Sequence, residues 1–208
     1  MTEEEALEWL AVRNVPRGTL DKLDLYTQLL RREASAQNLV SASTLDAIWS
    51  RHIVDSAQLL DHAGSWGKWI DLGSGAGFPG LVVALIGQGK VTLVEARAKR
   101  VTFLREVAAA TGIEDRVTVI AGRVETAEKR RFDVISARAF APLEKLLTLG
   151  LPFSDKATRW VLPKGKSAAE ELAASHGSWQ GSFELVPSVT DSQASIIVAT
   201  GVASRKRR

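Results

Sequence analysis

Apolar positions in the first sixty residues recur at helical spacing. Between Glu3 and Val12 they fall at Ala6, Leu7, Trp9 and Leu10, and the run breaks at Pro16-Arg17-Gly18. A second helix follows, with Thr19 as its expected N-cap. Leu20, Leu23, Tyr26 and Leu30 share one face of it, which Leu25 and Leu29 widen. Asn38-Leu39-Val40-Ser41 reads as a loop, and Ser43 or Thr44 is placed to cap a third helix whose apolar side is Leu45, Ile48, Trp49 and Ile53. From Lys68 the period changes. Short apolar runs near 69–72, 91–95, 117–121, 132–137 and 159–162 read as strands separated by helical stretches. The clearest helix spans 99–111, with Val101, Leu104, Val107 and Ala108 inward and Gly112 as C-cap. Such alternation predicts a parallel sheet with helices on both faces. Two last strands, near 183–189 and 195–200, have no long helix between them and should pair antiparallel. The expectation is an α/β chain with a mostly parallel seven-stranded sheet. It divides into an N-terminal helical extension (1–60), a sheet domain (61–203) and a basic tail (204–208) expected to be disordered.

Composition narrows the chemistry. With 45% apolar and 25% charged residues, the 208-residue chain has enough apolar side chains for one full core. It has no cysteine, which excludes disulfides, thiolate metal sites and a cysteine nucleophile, and no metal is expected. The acidic start Met1-Thr2-Glu3-Glu4-Glu5 is unlike a secretory leader. The longest apolar run, Leu81 to Ile86, is far short of the ~20 residues that span a bilayer. A cytoplasmic protein with no membrane partner is expected, and a monomer. The net charge of +3 is more than supplied by Arg205-Lys206-Arg207-Arg208, so the body carries −1. A nucleic-acid surface there must be a local patch.

The informative segment is Trp69-Ile70-Asp71-Leu72-Gly73-Ser74-Gly75-Ala76-Gly77-Phe78-Pro79-Gly80. A strand ends in a glycine-rich turn that opens a helix at Pro79. Glycines permit a sharp turn and close backbone approach to a ligand, which then sits beyond the carboxyl ends of the strands. Two ligand classes use such a turn. The spacing fits a dinucleotide fingerprint, with Glu95 twenty residues after Gly75 to grip a ribose. Asp71 weighs the other way. A carboxylate at the strand tip repels a pyrophosphate at the helix N-terminus but favours the sulfonium and ammonium of S-adenosylmethionine. Glu95 serves the ribose in either case.

These residues, with others along the chain, resemble the bacterial guanine-N7 methyltransferases of small-subunit ribosomal RNA (RsmG, or GidB). Asn38-Leu39 precedes Arg51-His52-Ile53-Val54-Asp55-Ser56. The glycine turn follows, then Glu95, Lys99-Arg100 before Phe103-Leu104, Arg123-Val124-Glu125, Arg138-Ala139-Phe140 and Lys164-Gly165. The order matches from about residue 38 to residue 165. The resemblance implies a Rossmann-like class I methyltransferase fold. It also implies cofactor contacts at Gly73, Phe78, Val124, Glu125 and Arg138, a ribose partner in Glu95, and a target guanine in small-subunit rRNA. Asp71, Ser74, Gly75 and Gly77 complete the expected cofactor set.

The residue chemistry agrees. Cytosine C5 methylation needs a cysteine nucleophile, and exocyclic amine methylation an Asn/Asp-Pro-Pro-aromatic stretch where this chain has Ala137-Arg138-Ala139-Phe140. Guanine N7 offers a free lone pair, so positioning suffices and no general base is named. Arg138 and Lys164 are the positioning candidates. Arg51, Lys99, Arg100, Arg123 and Lys164 are the candidates for RNA contact. His52 reads as a structural histidine. Asp55 is placed to cap or to pair with Arg51, Glu125 is a carboxylate for Arg138, and Trp66 is a candidate for exposure near a binding edge. The competing functions are a methyltransferase of another acceptor, a dinucleotide oxidoreductase, and a non-catalytic RNA-binding protein that keeps the fold.

Overall fold

The structure, a computed structural model, describes residues 1–34, 37 and 39–205. Asn38 and residues 206–208 of the basic tail therefore lie outside the described residues. Among those described, seven strands form one sheet: β1 (Lys68–Leu72), β2 (Lys90–Glu95), β3 (Val117–Ala121), β4 (Val134–Ser136), β5 (Arg159–Lys164), β6 (Trp179–Pro187) and β7 (Ser195–Ser204). Their order is β3-β2-β1-β4-β5-β7-β6, with only β7 antiparallel to its two neighbours. The order reverses between β1 and β4, and the loops leaving these two strands diverge there to leave a crevice.

Strand periodicity divides the core in two. On β1, Trp69 faces one side and Ile70 and Leu72 the other; on β4, Val134 and Ile135 divide the same way; on β5, Val161 opposes Trp160 and Leu162. The first face is covered by α6 (Gly80–Ile86), α7 (Ala98–Ala110) and the N-terminal helices α1 (Glu3–Val12) and α2 (Arg17–Ala34). The second is covered by α8 (Leu143–Gly150), with α9 (Ala168–Ser175) beside it. Leu23, Tyr26 and Leu30 of α2 are fully buried against α6 and α7. Each such side chain contributes about 1.5–3 kcal/mol. The helical extension thus shares one core with the first face of the sheet.

Several boundaries depart from the sequence expectation. Helix α2 begins at Arg17, not after Thr19, because the Pro16 carbonyl already accepts the N–H groups of Thr19 and Leu20. The third helix is broken into α3 (Ala42–Leu45), a π-helical turn (Trp49–Val54), α4 (Asp55–Ala57) and α5 (Leu60–Ala63). The break has a long-range cause. The Glu3 carboxylate accepts the N–H groups of Trp49 (3.0 Å) and Ser50 (2.8 Å), which a continuous α-helix would need itself. Helix α6 starts at Gly80, with Pro79 as its cap. Gly112, at φ +63, ends α7 as expected. Ser204 closes β7, and Arg205 donates to the Trp179 and Ser178 carbonyls. Ser204 and Arg205 are therefore ordered parts of the sheet edge, contrary to the disordered tail expected from 204.

Candidate active site

The glycine turn follows β1 at the crevice. Gly73 (φ +69), Gly75 (φ +58) and Gly77 (φ +103) all lie in the left-handed region, where a Cβ is penalised. The turn is held from below. The Asp71 carboxylate is fully buried and accepts the Ser136 hydroxyl (2.7 Å) and the Gly80 N–H (3.2 Å); Ser136 in turn accepts from the Trp69 indole (2.8 Å). Burial pushes the Asp71 pKa up to about 6, against the pull of those hydrogen bonds. The turn is also held from the side. Glu95 accepts the N–H groups of Gly75 (2.9 Å) and Arg97 (2.8 Å). The Tyr26 hydroxyl, from α2, donates to the Ala76 carbonyl at 2.6 Å. Asp71 thus sits beneath the turn, not at its open face. Glu95 is buried beside it.

Phe78, expected to touch a ligand, is 3% exposed and packed between other rings. Its ring lies 5.2 Å from Tyr26 and stacks on His52 at 4.9 Å, with the Arg138 guanidinium over it at 5.0 Å. Arg138 leaves the end of β4 and donates to Asp55 Oδ2 (3.1 Å), His52 Nδ1 (2.9 Å) and the Arg51 carbonyl (3.2 Å). A guanidinium only donates, so His52 Nδ1 accepts and its Nε2–H donates to Thr44 (2.9 Å). Burial, then Arg138 and Arg51, lower the His52 pKa to about 3. His52 is therefore neutral and structural, as its sequence context suggests. The Asp55 partner is Arg138 and not Arg51, whereas Glu125 pairs with Arg123 (3.5 Å) and not with Arg138.

Arg138 and His52 form part of the wall of a cleft of about 540 Å³ at the carboxyl ends of β4 and β5. Phe140, Lys164 and Glu171 line it on one side. Lys164 is bonded to Glu171 (2.8 Å) and the Ala141 carbonyl (3.1 Å). The rim opposite comes from the β6–β7 connection. Asp191 pairs with Arg51 (2.9 Å), the Thr190 hydroxyl donates to Asp55 (3.0 Å), and Gln58 bonds Ser188 and Val189. The cleft thus unites Arg51, Arg138 and Lys164. Val124 is buried, while Glu125 and Arg123 are exposed after β3; Lys99 is exposed on the first turn of α7 and Arg100 is half-buried. These five stand outside the cleft lining. Trp66 is not at the binding edge: it packs edge-on against Trp69 (5.1 Å) at the start of β1.

Sequence reasoning missed Thr190, Asp191 and Gln58, whose roles arise only from contacts across more than a hundred residues. It missed Tyr26 as a prop for the turn, although its burial was legible in the helical stripe.

His52 makes the fold acid-sensitive. A neutral buried histidine contributes stability that is present above its unfolded pKa near 6.5 and is lost as pH falls toward about 3. Asp71 acts oppositely: its stability contribution is full below 3.8 and is lost as pH rises toward about 6. Between pH 7.5 and 5.0 the two partly offset. Replacing His52 by glutamine should remove the first contribution and change the pH response of stability by roughly 2 kcal/mol, or about 4–8 °C in melting temperature. Identical pH responses in melts of the two proteins would show that His52 is not neutral in the fold.

The chain matches the family described as rRNA small subunit methyltransferase G (GidB) over residues 19–197. It is 56% identical over 208 residues to the ribosomal RNA small subunit methyltransferase G of Rhizorhabdus wittichii, covering 99% of this chain and 95% of that one. It is 47% identical to the protein of the same name from Zymomonas mobilis, covering 100% and 98%. Among solved structures it is similar to an O-methyltransferase from Bacillus cereus in complex with SAH (TM-score 0.58, 16% identity, 93% of this chain and 96% of that one). A mutant of MtNAS in complex with S-adenosylmethionine gives a TM-score of 0.58 at 17% identity, covering 86% and 74%. The fold is the Rossmann-like class I methyltransferase fold, and the chain belongs to the rRNA small subunit methyltransferase G family.

Proposed function

We propose that this protein transfers the methyl group of S-adenosylmethionine to N7 of a guanine in small-subunit ribosomal RNA. The observation that carries the reading is the junction at Gly73. The glycine turn meets the cleft there, and the cleft walls carry Arg51, Arg138 and Lys164. The site suits a cationic cofactor better than a dinucleotide. The Gly80 N–H at the start of α6, which a pyrophosphate would need, is already bonded to the Asp71 carboxylate. That buried carboxylate favours positive charge above the turn. The backbone of Gly73, Ser74, Gly75 and Gly77 would hold the cofactor, with Phe78 and Arg138 behind it and Val124 and Glu125 on the far side. Glu95 keeps lone pairs for ribose hydroxyls.

When bound, S-adenosylmethionine supplies an electrophilic methyl group, and the N7 lone pair takes it as the S–C bond breaks toward sulfur. No proton leaves, which suits a cleft whose one histidine is neutral and bonded at both nitrogens. The protein's work is orientation. Lys164, fixed by Glu171, and Arg138 offer donors for guanine O6; Arg51, Lys99, Arg100 and Arg123 serve phosphates. Arg51 is held by Asp191, but Arg51 is exposed (48%) and Asp191 part-exposed (33%), so an RNA phosphate exchanges for that carboxylate at little cost. The working form in this reading is a cytoplasmic monomer. Among the described residues no helix is long and apolar enough to cross a membrane.

The test is transfer of labelled methyl from S-adenosylmethionine to small-subunit rRNA taken from cells lacking the enzyme, with mapping of the product. A new N7-methylguanine is expected. RNA binding without transfer, or transfer to another acceptor, would refute the reading.

A further inference from the structure

The exit from β4 contains an unusual backbone. Ala139 has φ +51, in the left-handed region that residues with a Cβ avoid. Its two neighbours go to different partners. Arg138 reaches Asp55 and His52, while Phe140 lies against the glycine turn. A Cβ on Gly73 would overlap the Phe140 ring, lying only 2.8 Å from its Cε2. The strained residue is what lets one short segment serve both.

Phe140 is nonetheless not buried. It remains part-exposed and lines the cleft with Pro142, Pro163 and Lys164. The other aromatic ring of the lining, His52, is already stacked on Phe78 and bonded at both nitrogens. An apolar ring left half-wet, on a backbone strained to place it, points to a ligand surface.

The acceptor supplies the matching demand. The lone pair on guanine N7 lies in the plane of the purine. Cations on O6 or on phosphates restrain the position of the base but do not fix its tilt. A flat side chain beside the cofactor turn does.

We propose that Phe140 is the stacking platform of the acceptor: the target purine lies against the Phe140 ring, which holds the N7 lone pair in line with the methyl donor above Gly73. The proposal rests on the guanine reading above and adds the residue that sets the plane of the base. Enzymes that modify a base take it from its stack and hold it against such a surface. Base–aromatic stacking is sequence-tolerant, so Phe140 sets geometry while polar groups select guanine.

The test uses the full chain with Phe140→Ala, Phe140→Leu and Phe140→Tyr. Methyl transfer to unmodified small-subunit rRNA and S-adenosylmethionine affinity by calorimetry are both measured. Phe140→Ala should lower kcat/KM about 10- to 100-fold while cofactor affinity stays within about 2-fold. Phe140→Tyr should keep most of the activity. Phe140→Leu, apolar but without a π face, should not; if alanine prevents folding, the Leu–Tyr contrast still decides. Wild-type rates in Phe140→Leu would overturn the stack. So would a loss of cofactor affinity in step with activity, which would make the ring a cofactor wall. A wild-type protein that leaves guanine N7 unmodified would overturn the acceptor reading and the stack with it. A wild-type protein that methylates guanine while Phe140→Leu matches it overturns the stack alone.

Discussion

Replacing Arg138 by alanine should destabilise the protein by about 2–3 kcal/mol, or roughly 4–12 °C in melting temperature. The reason is what the guanidinium leaves behind. Asp55 is only 18% exposed and would lose its ion-pair partner. His52 Nδ1 and the Arg51 carbonyl would each lose a donor. Breaking a buried pair from one side costs about 3–5 kcal/mol, and the partial exposure of this one reduces that figure. The Asp55→Ala/Arg138→Ala double variant should lose less than the sum of the single variants, by about 1 kcal/mol or more. Arg138→Lys should fall between, since one ammonium does not reach three acceptors held by a planar fork. Denaturant titration of these variants beside the wild type checks this; strict additivity would mean that the pair carries no coupling. The methylation rate is a separate readout. Arg138 also lines the cleft, so Arg138→Ala should transfer methyl at least about 10-fold more slowly at a temperature where it is fully folded. A normal rate there would leave Arg138 a clamp and nothing more.

Two glycines of the same turn should fail in different ways. A Cβ on Gly77 would lie 2.8 Å from the Tyr26 hydroxyl and 2.9 Å from Leu81 Cγ, at a φ of +103. Valine there forces α2 off the turn, breaks the Tyr26 bond to Ala76, and adds backbone strain. The combined cost, on the order of 4–6 kcal/mol, approaches the whole stability of an ordinary domain. Gly77→Val should be largely unfolded or melt more than about 10 °C lower. Around Gly75 there is room: a Cβ would meet only Arg100 Nη1 at 3.6 Å and the Gly73 carbonyl at 3.8 Å. Gly75→Val should therefore fold, paying about 1–2 kcal/mol for its left-handed backbone. It should lose S-adenosylmethionine binding, because the new side chain stands on the open face of the turn. Melting curves and calorimetry read both effects. A folded Gly75→Val protein with wild-type affinity would move the cofactor elsewhere, and a Gly77→Val protein with a wild-type melt would contradict the packing of Tyr26.

The parts of this molecule that were legible in advance are those governed by near neighbours in sequence. Period-two and period-3.6 runs announced the alternating sheet, the antiparallel last pair followed from the missing helix, and Gly112 marked the end of α7. The glycine turn announced itself by composition. What was misread depends on contacts that no local spacing encodes. Asp55 stands four residues from Arg51, yet each is paired with a residue more than eighty positions away. Glu3 breaks the third helix from a distance of 46 residues. The sequence places Asp71 at the strand tip facing a cationic cofactor, whereas its carboxylate is buried beneath the turn. Strand alternation puts it on the same face as Trp69 and Ser136, under α6, and burial then makes it a prop.

The rim of the cleft joins residues 51–58 to residues 188–191, which follow 130 to 140 positions later in the chain. A ribosome adding 5–20 residues per second needs on the order of ten seconds to pass from one group to the other. In the later part of that interval, once Ser136 has been added, the glycine turn and its buried props exist as polypeptide, but Arg51 has no Asp191 and Asp55 has no Thr190. In the proposed reading, a nascent chain therefore carries the residues for the methyl donor before it carries a finished seat for the acceptor. The cleft is closed only once the last hairpin has been made.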